Sequence, residues 1–128
     1  MSKEVIQTND APAAIGPYSQ AVKSPCKGML FCSGQIPLNP KTGELVGVTA
    51  SEQATQVLEN LRAVIRAGGA SLEDVVKTTI YVKSMDDFSA VNEIYGSFFS
   101  KPFPARATVE VARLPKDVLV EIDAIAAI

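Results

Sequence analysis

No histidine occurs anywhere in the 128 residues. That removes the commonest general base near neutral pH and the commonest metal ligand. No Ser–His or Cys–His nucleophile pair can be assembled within the chain, nor a ribonuclease mechanism that relies on a pair of histidines. Chemistry here has to run on carboxylates, Tyr, Lys, Arg, backbone groups or water. Cysteine is scarce as well. Cys26 and Cys32 are the two, too few for a disulfide framework or a metal site, and they read as two reduced, packed thiols. No apolar run approaches the roughly 18–20 residues of a membrane span. Residues 1–12, MSKEVIQTNDAP, have neither an apolar signal core nor an Arg-rich amphipathic pattern, so a cytoplasmic location is expected. Positive charge is not in excess either. A formal net charge of -2 exerts no bulk pull on nucleic acid, and neither a nucleic-acid nor a membrane partner is expected.

What is present fits one domain over residues 1–128 with one core. No repeat, linker or low-complexity tract interrupts it. KEVIQ (3–7) reads as a short strand, residues 9–17 as a loop rich in proline and glycine, and YSQAVKS (18–24) as a second strand. A turn at Cys26–Gly28 leads to the apolar strand MLFCSGQI (29–36), and 37–47 is loop.

Helix signals are sharper. Thr49 and Glu52 have capping-box spacing. Ala54, Val57, Leu58, Leu61, Val64 and Ile65 recur at helical intervals after them. Gly68-Gly69 ends the run, because glycine tolerates the left-handed C′ position. VVKTTIYV (75–82) is a β-branched strand. Ser84–Asp87 opens a second helix by the same capping logic, with Phe88, Val91, Tyr95, Phe98 and Phe99 as its buried stripe and Asn92 at the border. Lys101–Pro104 stops it. PARATVEV (104–111) is a strand with Ala105, Ala107, Val109 and Val111 on one face and Arg106, Thr108 and Glu110 on the other. After a turn at 113–117, the last strand places Val118, Val120, Ile122 and Ala124 on one face and Leu119, Glu121, Asp123 and Ile125 on the other. The expected order is β, β, β, α, β, α, β, β. Two helices cover only one face of such a sheet, yet several strands are apolar on both faces. A second subunit is the natural cover for the open face.

Arg106 leads the residues that can carry chemistry. Its guanidinium is a rigid fork suited to gripping a carboxylate or phosphate through two parallel hydrogen bonds, and its small strand neighbours leave room for a ligand. The alternative is an ion pair with Glu110 or another acid across the sheet. Glu121 sits between Val120 and Ile122, where partial desolvation raises a carboxyl pKa and suits it to proton transfer. Its alternatives are a solvated strand face or a salt bridge to Arg106, and Asp123, on the same face, is a rival. Tyr18, after Gly16-Pro17, offers a hydroxyl and a flat wall, or simply packs. Ser33-Gly34, near the end of its strand, permits close backbone approach by a ligand or marks a β-bulge.

IGPYSQAV (15–22), CSGQIPLNPKTGEL (32–45), PARATVEVARLPKD (104–117) and VEIDAIA (120–126) together resemble the RidA family, also called YjgF or L-PSP endoribonuclease, over nearly the whole chain. The resemblance implies an α+β, chorismate-mutase-like fold: a mixed six-stranded sheet with two helices on one face, assembled as a homotrimer with ligand clefts between subunits. It implies hydrolysis of 2-imino acids, such as 2-iminobutanoate and 2-iminopropanoate or their enamine tautomers, to 2-keto acids and ammonia, without a cofactor or metal. Arg106 matches the family's carboxylate-binding arginine, and Glu121 the glutamate that orients or activates water. Tyr18, Ser33, Gly34 and Asn92 match site residues. Thr108 stands where many members carry cysteine; its hydroxyl still hydrogen-bonds, but thiol-based regulation at that position is lost. Two other readings stay open: a single-strand endoribonuclease or translation inhibitor, and a non-catalytic trimer that binds small carboxylates or acts as a chaperone.

Overall fold

The structure is a computed structural model that describes residues 3–11 and 13–128. Residues 1, 2 and 12, which belong to the N-terminal stretch and the 9–17 loop read above, lie outside the described residues. The strands and α-helices come in the expected order: β1 Glu4–Ile6, β2 Ala21–Lys23, β3 Met29–Gln35, α1 Ala50–Ala67, β4 Val75–Val82, α2 Phe88–Phe98, β5 Ala105–Glu110 and β6 Val120–Ala127.

The mixed sheet runs β3-β6-β4-β5, with β4 and β5 parallel and the other neighbours antiparallel. β1 and β2 form an antiparallel ribbon. It joins the β5 edge through a parallel bridge between Ser19 and Ala105, where the Ser19 N–H donates to the Pro104 carbonyl at 3.0 Å. Six strands and two helices thus make an α+β fold, with both helices on one side of the sheet.

Local chemistry sets the helix ends. Thr49 Oγ1 accepts the Glu52 N–H at 3.2 Å and Glu52 Oε1 accepts the Thr49 N–H at 3.1 Å, which completes the capping box at α1. At the other end Gly69 takes φ 85°. Its N–H bonds the Arg66 carbonyl and the Ala70 N–H bonds that of Ile65, the Schellman arrangement that left-handed glycine permits. The second helix departs from expectation. Ser84 Oγ accepts the Asp86 N–H at 3.1 Å, two residues on rather than three. The turn tightens to a 3₁₀ segment, Met85–Asp87, before α2 starts at Phe88.

Ala54, Val57, Leu58, Leu61 and Ile65 of α1 are sealed against Ile80, Val82, Val120, Ile122 and Ala124 of the sheet, with Val91 and Tyr95 of α2. Val64, at helical spacing with these, lies on the rim and is exposed. Cys32 is buried as expected, but Cys26 is not packed. It lies in the turn that brings the Lys27 and Gly28 N–H groups to the Ile128 carbonyl, and its side chain is left in solvent. On the helix-free face Phe31, 71% exposed, and Met29 and Val109, both more than 40% exposed, lie open. These are exposed apolar groups on the face for which the sequence leads one to expect a second subunit. Among the described residues no helix is long and apolar enough to cross a membrane.

Candidate functional site

Register decides where Arg106 points. β5 pairs with β4 so that Arg106 lies opposite Thr78. Thr78 is fully buried, and its Oγ1 is hydrogen-bonded to the Tyr95 hydroxyl of α2 at 2.8 Å. Arg106 therefore leaves the sheet on the helix side. Its Nη1 donates to Asn92 Oδ1 at 2.7 Å. Its Cζ lies 5.1 Å from the Tyr18 ring centre, 5.0 Å from that of Tyr95 and 5.6 Å from that of Phe88. Ring faces attract a cation without neutralising it.

Among the described residues no carboxylate pairs with Arg106. The predicted alternative, an ion pair with Glu110, does not form, because Glu110 Oε1 accepts the Met85 N–H at 2.9 Å. Burial pulls the Arg106 guanidinium below its ordinary value, and Tyr95 and Tyr18 oppose that. It stays a cation at neutral pH, held by neutral partners, with its charge left for an anion.

The turn at 15–18 closes on this group. The Tyr18 N–H donates to the Gly16 carbonyl at 2.8 Å and the Ile15 N–H to the Tyr18 hydroxyl at 3.3 Å. A Cβ placed on Gly16 would lie 3.7 Å from Arg106 Nη2. Thr108, two residues along the same face, has a buried Oγ1 with no hydrogen-bond partner. A hydroxyl in that state is ready to bond a ligand or a water. A cavity of about 550 Å³ under the β1–β2 ribbon borders Tyr18 and Gly16 but touches neither Arg106 nor Glu121, so it is not where those two residues meet.

Tyr95 supports Arg106 from below. Burial pushes its pKa up to about 12, so the hydroxyl keeps its proton. Tyr95→Phe would keep the ring under the guanidinium but strand Thr78 Oγ1 in the core. The expected cost is about 1–2 kcal/mol of stability, read as a lowered urea midpoint, with carboxylate affinity unchanged.

Glu121 lies on the other face. In the β4–β6 register it stands opposite Tyr81, and Asp123 opposite Thr79. The Tyr81 hydroxyl donates to Asp123 Oδ2 at 3.1 Å. Burial, and then the like charge of Asp123, raise the Glu121 pKa. Ser33 and Gly34 form the β-bulge named above as one alternative: Cys32 pairs with Ala124 and Gln35 with Ile122, so both residues oppose Asp123. The group lying against this bulge is the Glu121 carboxyl.

One chain thus gathers Arg106, Tyr18, Asn92 and Thr108 on the helix side, and Glu121, Ser33 and Gly34 on the open face. It does not bring the two sets together, and a salt bridge from Glu121 to Arg106 is excluded by the register. Phe88, Tyr95 and Gly16, which surround the guanidinium, and Tyr81, which faces Glu121, were not singled out as functional in the sequence. Phe88, Asn92 and Tyr95 recur at i, i+4 and i+7 on one helix face, a signal that could have joined the rings to Asn92.

Residues 8–128 match the family model for Endoribonuclease L-PSP. Over 129 residues, 98% of each chain, the sequence is 54% identical to the 2-iminobutanoate/2-iminopropanoate deaminase of Escherichia coli strain K12. RidA from the Antarctic bacterium Psychrobacter superposes with a TM-score of 0.76 at 46% identity, covering 98% of this chain and 99% of that one. E. coli TdcF, solved with bound serine, gives a TM-score of 0.74 at 44% identity with 98% of each chain covered.

Proposed function

The chain belongs to the endoribonuclease L-PSP (RidA) family, and on that premise we propose that it hydrolyses small 2-imino acids to 2-keto acids and ammonia. The observation that carries this reading is Arg106: a half-buried guanidinium held by an amide and three rings, with no acid paired to it among the described residues. Such a group is built to take a carboxylate. The relatives agree in chemistry: one is named for 2-imino acids, and another binds serine, a small 2-amino carboxylate.

Arg106 grips the substrate carboxylate, Tyr18 and Thr108 border it, and Asn92 holds the fork in place. Glu121 stands on the opposite sheet face, so the site is completed between subunits, Arg106 from one chain facing Glu121 of the next in a homotrimer. The exposed apolar residues beside Glu121's face, Phe31 and Met29, are the surface the neighbour covers.

The protonated imine is already electrophilic. Water oxygen bonds the imine carbon, the C=N π electrons move to nitrogen, and the water proton passes to the Glu121 carboxylate. The carbinolamine nitrogen takes that proton back and the C–N bond breaks with its electron pair on nitrogen. The hydroxyl proton goes to the carboxylate as C=O forms, and the departing ammonia takes that proton away as ammonium, which restores the Glu121 carboxylate. Positioning plus one proton acceptor suffices, which suits a chain without histidine.

The test generates 2-iminobutanoate with a threonine dehydratase and traps free imine with semicarbazide. Purified protein is expected to lower the trapping rate in proportion to its concentration. No protection by a folded, oligomeric preparation would leave a non-catalytic carboxylate-binding trimer in its place.

The acid limb of the pH profile offers a second check. Glu121 must be ionised to accept a proton, so activity falls as pH drops through its pKa, above the ordinary value of about 4.3. Asp123→Asn removes one of the two causes of that elevation while keeping an acceptor for Tyr81. The limb is expected to move to lower pH and to stop short of an ordinary glutamate, because burial remains. A limb that does not move would mean that another group sets it.

A further inference from the structure

Some glycines here answer to the backbone. Gly43 and Gly69 have φ of 74° and 85° and open space where a side chain would go. Gly34 is different. It is not among the glycines with positive φ, so its conformation is open to any L-residue. What a side chain would meet is Glu121: a Cβ built on Gly34 falls 2.0 Å from Glu121 Oε2, 2.8 Å from Cδ and 3.1 Å from Cγ. The carboxyl group fills the volume that any other residue at position 34 would claim. The bulge turns this stretch of β3 toward that carboxyl, since Ser33 and Gly34 together face the single residue Asp123 on β6.

We propose that Gly34 is a positioning residue for Glu121: the side-chain-free step in the β3 bulge is the seat in which the carboxyl is held ready to take a proton from water. This goes beyond lining a cleft, and it rests on the reading of Glu121 as proton acceptor. Nothing else in the described structure fixes the carboxyl by a hydrogen bond. Asp123 on its own strand repels it, Tyr81 across on β4 spends its hydroxyl on Asp123, and β3 contributes only Ser33 and Gly34 here, neither of them titratable. Steric seating is what remains to hold it.

Gly34→Ala separates seating from folding. The atoms a methyl would strike are the far end of a flexible side chain, so Glu121 swings away and the backbone stays. The variant is expected to fold and assemble and still to bind 2-ketobutyrate, which Arg106 of the neighbouring chain grips, while kcat falls roughly 10²-fold, the scale of a misplaced reacting group. Combined with Glu121→Gln it should be no slower than Glu121→Gln alone, because both remove one function. Carbon-13 NMR of the Glu121 carboxyl gives a readout independent of activity: its titration should drop toward that of an ordinary glutamate once the group swings into water. If Gly34→Ala does not fold, adding Glu121→Ala removes the atoms the methyl meets and should restore folding. An unmoved kcat with an unmoved titration, additive losses in the double variant, or no restoration would each overturn the seat. Loss of the imine assay in wild type alone would instead overturn the deaminase reading, and the titration would still decide the seat.

Discussion

Glu121→Gln is expected to lower kcat for 2-iminobutanoate roughly 10²- to 10⁴-fold, the usual worth of a positioned general base, while 2-ketobutyrate binding survives. The amide keeps the size of the side chain and loses the ability to accept the proton. The Arg106 that shares a site with Glu121 comes from the neighbouring chain and is unaltered by the substitution, so the carboxylate grip should be intact. Arg106→Ala should behave differently. Losing two charge-assisted hydrogen bonds costs roughly 10²- to 10³-fold in kcat/KM, and 2-ketobutyrate binding goes with it. Asn92 and the three rings lose their common partner, so Arg106→Lys, which keeps the charge without the fork, should recover only a fraction. The pair of profiles separates an enzyme from a sensor. A carboxylate-binding protein without chemistry needs Arg106 and is indifferent to Glu121→Gln.

Mixing the two inactive variants should restore activity. Unfolded together in equal amounts and refolded, Arg106→Ala and Glu121→Gln chains assemble at random. A site that draws Arg106 from one chain and Glu121 from the next is intact when the first chain carries Glu121→Gln and the second Arg106→Ala. That combination occurs at about one site in four by the symmetry of a closed ring, so about a quarter of wild-type activity is expected, up from almost none in either parent. Native mass spectrometry of the mixture would confirm that hybrid oligomers had formed. Hybrids without recovered activity would put both residues in the same chain's site and refute the inter-subunit arrangement. This prediction follows from the strand register: Arg106 shares a face with Thr78, and Glu121 with Tyr81.

Much of this molecule was legible from near neighbours along the chain. The capping box at Thr49–Glu52, the Gly68-Gly69 stop and the β-branched run 75–82 each act within a turn or one strand, and each falls where the pattern placed it. The alternation in β6 was equally plain, with Val120, Ile122 and Ala124 buried and Glu121 and Asp123 on the other side. Motif and side-chain chemistry singled out Arg106 and Glu121 before any contact was known. Reading along the chain was less good where a side chain's surroundings come from elsewhere: Cys26 is exposed in its turn, and Val64 falls on the rim of α1.

Residue types and local spacing determined the elements and their order, and with the family motifs they singled out Arg106 and Glu121 as the two candidates for the chemistry. The tertiary structure alone decided how those groups stand to one another. Alternation says which residues of one strand share a face, but it cannot say which face of β5 matches which face of β6. That depends on hydrogen bonds from β4 to both neighbours, between residues more than twenty positions apart. Those bonds set Arg106 among the rings of α2 and Tyr18, laid the Glu121 carboxyl over Gly34, and put the sheet between them.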